Sequence, residues 1–162
     1  MDALKGAFIV FEGADGSGKT TQFRRFLQAC RDRGLPVCDV VLADRFVQST
    51  IAYQGAAGGL GGDEIRAVAK VACAGAEPDL IVVFDIENGE AARRVGPTKD
   101  RIEARDEAFH AKVRKAYLDM ARAEPERFVV INGGHDPDEV HRATMRAIES
   151  RLAPDAAGAG GR

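Results

Sequence analysis

The chain has 162 residues, with 23 Lys and Arg against 25 Asp and Glu and a net charge of −2, a size at which one α/β domain buries its core without disulfides or structural metal. Its charges are interspersed, so no basic stripe is available for a nucleic-acid backbone and the expected ligand is a small anion rather than a nucleic acid. Cys30, Cys38 and Cys73 lack disulfide or zinc spacing and read as reduced thiols, and no apolar run approaches the ~20 residues of a membrane span or resembles a signal peptide, so a cytoplasmic protein without a membrane partner is expected.

Strand and helix patterns alternate along the chain. "AFIVFE" (7–12) reads as a buried parallel strand, followed by a helix with Phe23, Phe26, Leu27 and Cys30 at helical spacing and a stop at Gly34 and Pro36. "VCDVVLA" (37–43) is a second strand leading into Asp44-Arg45, and "STIAYQG" a short helix. "GAAGGLGG" (55–62) reads as a flexible connection, after which Asp63 is expected to cap a helix with Ile65, Val68, Ala69 and Ala72. "LIVVFD" (80–85) is a third, wholly apolar strand. Asn88 is a candidate cap for a helix ending near "VGPTKD", which reads as an exposed loop. Residues 105–123 form a helix with Phe109, Val113, Tyr117 and Met120 on one face. "RFVVIN" is the last strand, Asp136 caps the last helix, and residues 153–162 read as a disordered tail. The expected organisation is one domain over residues 1–152.

The stretch Gly13-Ala14-Asp15-Gly16-Ser17-Gly18-Lys19-Thr20 satisfies the eight-position phosphate-loop pattern and has the required strand before it and helix after it. Loop and helix N–H groups surround a β-phosphate in such a turn, the lysine reaches the β and γ oxygens, and the threonine hydroxyl holds Mg²⁺. With the alternating elements this predicts a P-loop NTPase-type three-layer α/β/α fold with a mostly parallel sheet of about four strands, whose ligands sit at the carboxyl ends of the strands. The loop, Asp44-Arg45 and Asp85 each follow a strand, so they should converge on one crevice.

No Asn-Lys-x-Asp guanine-reading element is present, and the third strand ends Asp85-Ile86-Glu87 rather than in adjacent Asp and Glu, which leaves a small-molecule kinase by elimination. Arg45 suits a phosphorylated acceptor because a guanidinium matches phosphate oxygens in pairs; a plain ion pair within the turn is the other reading. Arg93, Arg94, Lys99 and Arg101 crowd a Gly-Pro stretch that fits either a closing lid carrying arginines to the phosphoryl group or a solvated helix end. His110, His135 and His141 have no metal-ligand spacing. Glu12 either orients Lys19 or sits at the strand end, and Asp85 either supports a metal or anchors the sheet.

"FIVFEGADGSGKTTQ", "LADRFVQSTIAYQG", "EPDLIVVFDIE" and "DRIEARDEAFHAKVRKAYLDMARAEPERFVVIN", in that order and covering most of the chain, resemble the thymidylate kinase family. The resemblance implies transfer of the ATP γ-phosphoryl to dTMP, giving dTDP and ADP. It implies that Gly13, Ala14, Asp15, Gly16, Ser17, Gly18, Lys19, Thr20 and Thr21 bind ATP and that Thr20 and Asp44 hold Mg²⁺. Asp15 also meets the acceptor sugar or its metal-bound water, Arg45 the acceptor phosphate, and Phe46, Ser49, Tyr53 and Gln54 line the acceptor side. Lys19, Arg45, Arg94 and Arg101 are the implied catalytic residues, with a lid over about residues 93–104. Gly16 stands where one subgroup carries a loop arginine, so the sequence resembles the subgroup with lid arginines. The family's Arg-Glu-Pro-Gly-Gly-like turn, edge strand and two helices have no counterpart between the first helix and Asp44, and with them goes the segment that reads thymine and builds much of the homodimer surface. A kinase for another deoxynucleotide or nucleoside, and a non-catalytic ATP-binding remnant, therefore stay open as alternatives.

Overall fold

The computed structural model describes residues 4–34, 40–95 and 107–153. Its centre is a four-stranded sheet, wholly parallel, in the order β2-β1-β3-β4, with β1 at Ala7–Gly13, β2 at Val40–Asp44, β3 at Leu80–Asp85 and β4 at Phe128–Asn132. Among its helices, α1 (Lys19–Asp32) and α6 (Pro137–Leu152) pack together on one face. The other face carries α2 (Val47–Thr50), the π-helical segment Ile51–Ala56 and α5 (Glu107–Ala123), with α3 (Gly62–Ala72) against the π-helical segment. The remaining helix, α4 (Asn88–Val95), follows β3.

Alternation along β1 divides the core in two. Ile9 and Phe11 face α1 and α6, where Phe11 packs against Phe26 and Phe84 with ring centres 5.7 and 5.2 Å apart. Val10 faces the opposite layer, with Tyr53, Phe109, Val113 and Tyr117. By the same two-residue period Glu12 belongs to the α2 and α5 face. β3 is buried at every position from Leu80 to Phe84, which explains its unbroken apolar sequence.

Several boundaries differ from the sequence-based expectation. Gly61 rather than Asp63 is the N-cap of α3; Asp63 lies inside the first turn, where its charge favours the helix dipole without a capping bond. α4 begins at Asn88 itself. The glycine-rich connection is an ordered turn: Gly59 N donates to Gly55 O at 2.7 Å and Leu60 N to Gln54 O at 3.0 Å, closing off the π-helical segment. Asp136 caps α6 as expected, accepting from Asp138 N. The exposed loop expected at 95–100 and the tail expected at 153–162 lie outside the described residues apart from their first positions, 95 and 153. No described helix is long and apolar enough to cross a membrane.

Candidate active site

Parallel register brings Gly13, Asp44, Asp85 and Asn132 to the same end of the sheet, so the crevice predicted from strand ends is present. The phosphate loop leaves β1 there and enters α1 through Gly18, which is left-handed at φ 83°. α1 has no side-chain cap at its N-terminus, so its first-turn N–H groups face the crevice as donors for an anion. Ser17 Oγ is buried in the loop with no hydrogen-bond partner, as a hydroxyl held for a ligand would be. A cavity of about 650 Å³ lies over this surface, lined by the loop and the start of α1 together with Arg94, Gly133, His135, Pro137 and Val140.

Two glycines hold the loop in place by close approach. A Cβ on Gly16, whose φ is +78°, would lie 2.5 Å from Ala91 O of α4, and a Cβ on Gly133 would lie 2.6 Å from Ser17 O. The loop is thus wedged between α4 and the turn after β4, and a side chain at position 16 would drive them apart. That turn is tied back to the sheet by Gly133 N donating to Asp85 O at 2.7 Å.

Lys19 is buried and its Nζ lies 2.5 Å from Asp44 Oδ1 at the end of β2. The two residues assigned to phosphate and metal therefore share one point. Thr20 and Thr21 line the cavity alongside Lys19. Arg94 stands at the rim, donating to Gly133 O at 2.8 Å and to Gly134 O at 3.4 Å, and pairing with Glu90 at 3.1 Å. Arg101 and most of the expected lid lie outside the described residues.

On the other side of the loop Arg45 is the centre of a charged cluster. Its backbone is left-handed at φ 72°, a conformation that costs a non-glycine residue about 1 kcal/mol or more, and β1 pins it through Arg45 N donating to Phe11 O at 3.0 Å. The guanidinium pairs with Asp15, donates to Ser49 Oγ at 3.1 Å, and lies 5.0 Å from the centre of the Tyr53 ring. Tyr53 OH donates to Asp15 Oδ2 at 3.0 Å. Burial works against the Arg45 charge, but Tyr53, Tyr117 and Asp15 outweigh it and raise its pKa, so the guanidinium stays protonated. Burial pushes the Tyr53 phenol up to about 12.

Glu12 does not orient Lys19. Its side chain turns to the opposite face of the sheet, is wholly buried, and accepts from Phe46 N at 2.8 Å, Ser49 N at 3.2 Å, Ser49 Oγ at 2.7 Å and Tyr117 OH at 2.9 Å. Asp85 is held by Arg114, whose Nε and Nη2 donate to its two oxygens at 2.7 and 2.9 Å, so it anchors α5 to the sheet end. Phe46 stacks edge-on against Phe8 at 5.2 Å, and Gln54 is exposed on the π-helical segment. Among the described residues no group of three or more His, Cys, Asp or Glu could hold a metal, and Cys30 and Cys73 are free thiols. The sequence reading missed Gly133, His135 and the hydroxyl of Tyr117. A glycine pair after a strand end and a tyrosine on a buried helix face, whose hydroxyl needs a partner, were the available signals.

A family model, thymidylate kinase, matches residues 35–144. The chain belongs to the thymidylate kinase family. The thymidylate kinase of Caldanaerobacter subterraneus subsp. tengcongensis is 31% identical over 203 aligned positions, covering 92% of this chain and 98% of the relative. That of Symbiobacterium thermophilum is 31% identical over 210, covering 96% and 98%. These spans exceed the 162 residues of the chain, so these thymidylate kinases carry positions with no counterpart here. A crystal structure of thymidylate kinase from Ehrlichia chaffeensis shares the fold with a TM-score of 0.69 at 21% identity, covering 90% of this chain and 99% of that one. The four-stranded parallel sheet with helices is thus the α/β fold of a P-loop thymidylate kinase.

Proposed function

We infer that the chain transfers the γ-phosphoryl group of ATP to dTMP, giving ADP and dTDP. Family membership supports the reaction, and one geometric observation carries its assignment to this site. The phosphate loop separates a cavity large enough for a nucleoside triphosphate from the Asp15, Arg45 and Tyr53 cluster, and Asp15 belongs to both sides. A donor on one side and a phosphorylated acceptor on the other would meet in line above Lys19. Catalysis is then positioning and charge neutralisation, with no covalent intermediate on the protein.

In this reading residues 13–21 cradle the ATP phosphates and Lys19 leaves Asp44 for the β and γ oxygens. Arg45 exchanges Asp15 for the acceptor phosphate, while Ser49, Tyr53, Phe46 and Gln54 bound the acceptor side. Arg94, and Arg101 beyond the described residues, exchange their resting contacts for the transferring phosphoryl. Hydroxyl and carboxylate oxygens suit Mg²⁺, which takes one or two protein ligands and completes its shell with phosphates and water. Thr20 and Asp44 are the residues that would hold it, and it would neutralise charge on the phosphate oxygens. One kinase domain over residues 1–152, a cytoplasmic location and a homodimer complete the proposal.

The test is acceptor-dependent ADP formation from MgATP, with dTMP beside dUMP, dCMP, dGMP, UMP and thymidine, and Lys19→Ala as the blank. We expect dTMP to give the highest kcat/KM. Turnover that no acceptor raises, in protein that still binds ATP, would overturn the reading.

A further inference from the structure

We propose that Glu12, Ser49 and Tyr117 form a positioning relay that fixes the Arg45 guanidinium and so sets the affinity of the site for the acceptor phosphate. The proposal rests on the reading that Arg45 meets that phosphate. None of the three relay residues has to touch the reacting atoms; they act through Arg45.

The geometry closes as a hydrogen-bond account. Ser49 Oγ has one proton and two lone pairs. It donates the proton to Glu12 Oε2 at 2.7 Å, which leaves the lone pairs free to accept from Arg45 Nη1 at 3.1 Å. Tyr117 OH, 2.9 Å from Glu12 Oε2 and 2.9 Å from Ser49 Oγ, donates to the carboxylate and fences the hydroxyl from the α5 side. Glu12 Oε1 meanwhile accepts from Phe46 N and Ser49 N, and so caps the four-residue helix α2 from a neighbouring strand. α2 has no side-chain cap of its own.

The left-handed Arg45 is therefore clamped from both sides by β1. Its own N–H donates to Phe11 O, and the next residue's N–H donates to the Glu12 carboxylate. Its guanidinium is steered by a hydroxyl that the same carboxylate orients. A wholly buried glutamate is costly unless each oxygen is satisfied. Here three of its four contacts converge on the segment that delivers one arginine, and the fourth ties the same carboxylate to Tyr117 of α5.

Ser49→Ala, Glu12→Gln and Tyr117→Phe test the relay, with kcat and KM for dTMP and for ATP measured separately and dTMP binding followed by calorimetry. Losing one hydrogen bond to a charged group should raise the dTMP KM and Kd about tenfold in Ser49→Ala, with the ATP KM within about twofold. Ser49→Thr should restore the wild-type values because it returns the hydroxyl. Tyr117→Phe deletes one oxygen without opening the core, and should show the same split if Glu12→Gln fails to fold. Unchanged dTMP KM and Kd in both Ser49→Ala and Tyr117→Phe would overturn the relay, as would dTMP and ATP constants that move together without rescue by threonine. Wild-type protein without dTMP-dependent turnover would overturn the kinase reading and the relay with it, whereas an active wild type with unmoved variants removes the relay alone.

Discussion

The two sides of the phosphate loop are built from different materials. The cavity side, proposed for the donor, is mostly backbone: N–H groups at the start of α1, peptide carbonyls at Gly133 and Gly134, and glycines packed against their neighbours at less than side-chain distance. The Arg45 side, proposed for the acceptor, is a network of side chains, in which Asp15, Arg45, Ser49, Tyr53, Glu12 and Tyr117 from three separate stretches of chain satisfy one another. Backbone recognition tolerates no added atom but is indifferent to most neighbouring side chains. Side-chain recognition survives small changes of volume yet fails when one polar partner is lost.

Substitutions can break this contrast in graded order. Lys19→Ala should have the largest effect, lowering kcat by at least about 10²–10³-fold because it removes a preorganised cation from the transferring oxygens; melting temperature, followed by circular dichroism, should change little. Gly16→Ala comes next. Its Cβ must intrude on Ala91 O and occupy a left-handed backbone, so denaturant unfolding should show a loss of about 1–3 kcal/mol together with weakened ATP binding. Arg45→Lys keeps the charge but loses the paired guanidinium geometry, and steady-state kinetics should show the dTMP KM rising about tenfold while that of ATP holds.

The smallest effect concerns pH. Burial holds the Glu12 carboxyl above its ordinary 4.5 in the folded protein, partly offset by its bonds from Ser49, Phe46 and Tyr117. A carboxyl with a raised folded pKa contributes stability that is present below the ordinary value and is lost as pH rises through the folded one. Paired thermal melts should therefore show wild type losing ground to Glu12→Gln as pH climbs from 4.5 through that window, and then a constant difference. A difference independent of pH would mean that the buried carboxyl does not titrate there.

The same contrast decided what could be read from the sequence. The donor side is local: strand, eight-residue loop and helix are contiguous, and spacing alone gave the cradle from Gly13 to Thr20. The sheet was legible too, because β3 is apolar throughout and each strand ends on a polar or glycine residue. Glu12 kept two readings because its partners lie 34, 37 and 105 positions away, and period-two alternation, which gives the face, does not reveal what waits on it. Asp85 had two readings until Arg114, on a helix that the sequence described only by its apolar face, closed on it from 29 positions downstream. The π-helical turn at Ile51–Ala56 carries no propensity signature distinct from an ordinary helix.

The contact between position 16 and Ala91 reaches beyond the loop itself. With α4 seated against the loop, the first carbon of any side chain at position 16 meets the Ala91 carbonyl, so a longer side chain such as arginine requires α4 to shift. Such a shift would carry with it Arg93 and Arg94, which lie in the last turn of α4. Position 16 and the placement of Arg94 are therefore mechanically coupled through α4, and a change at one is felt at the other.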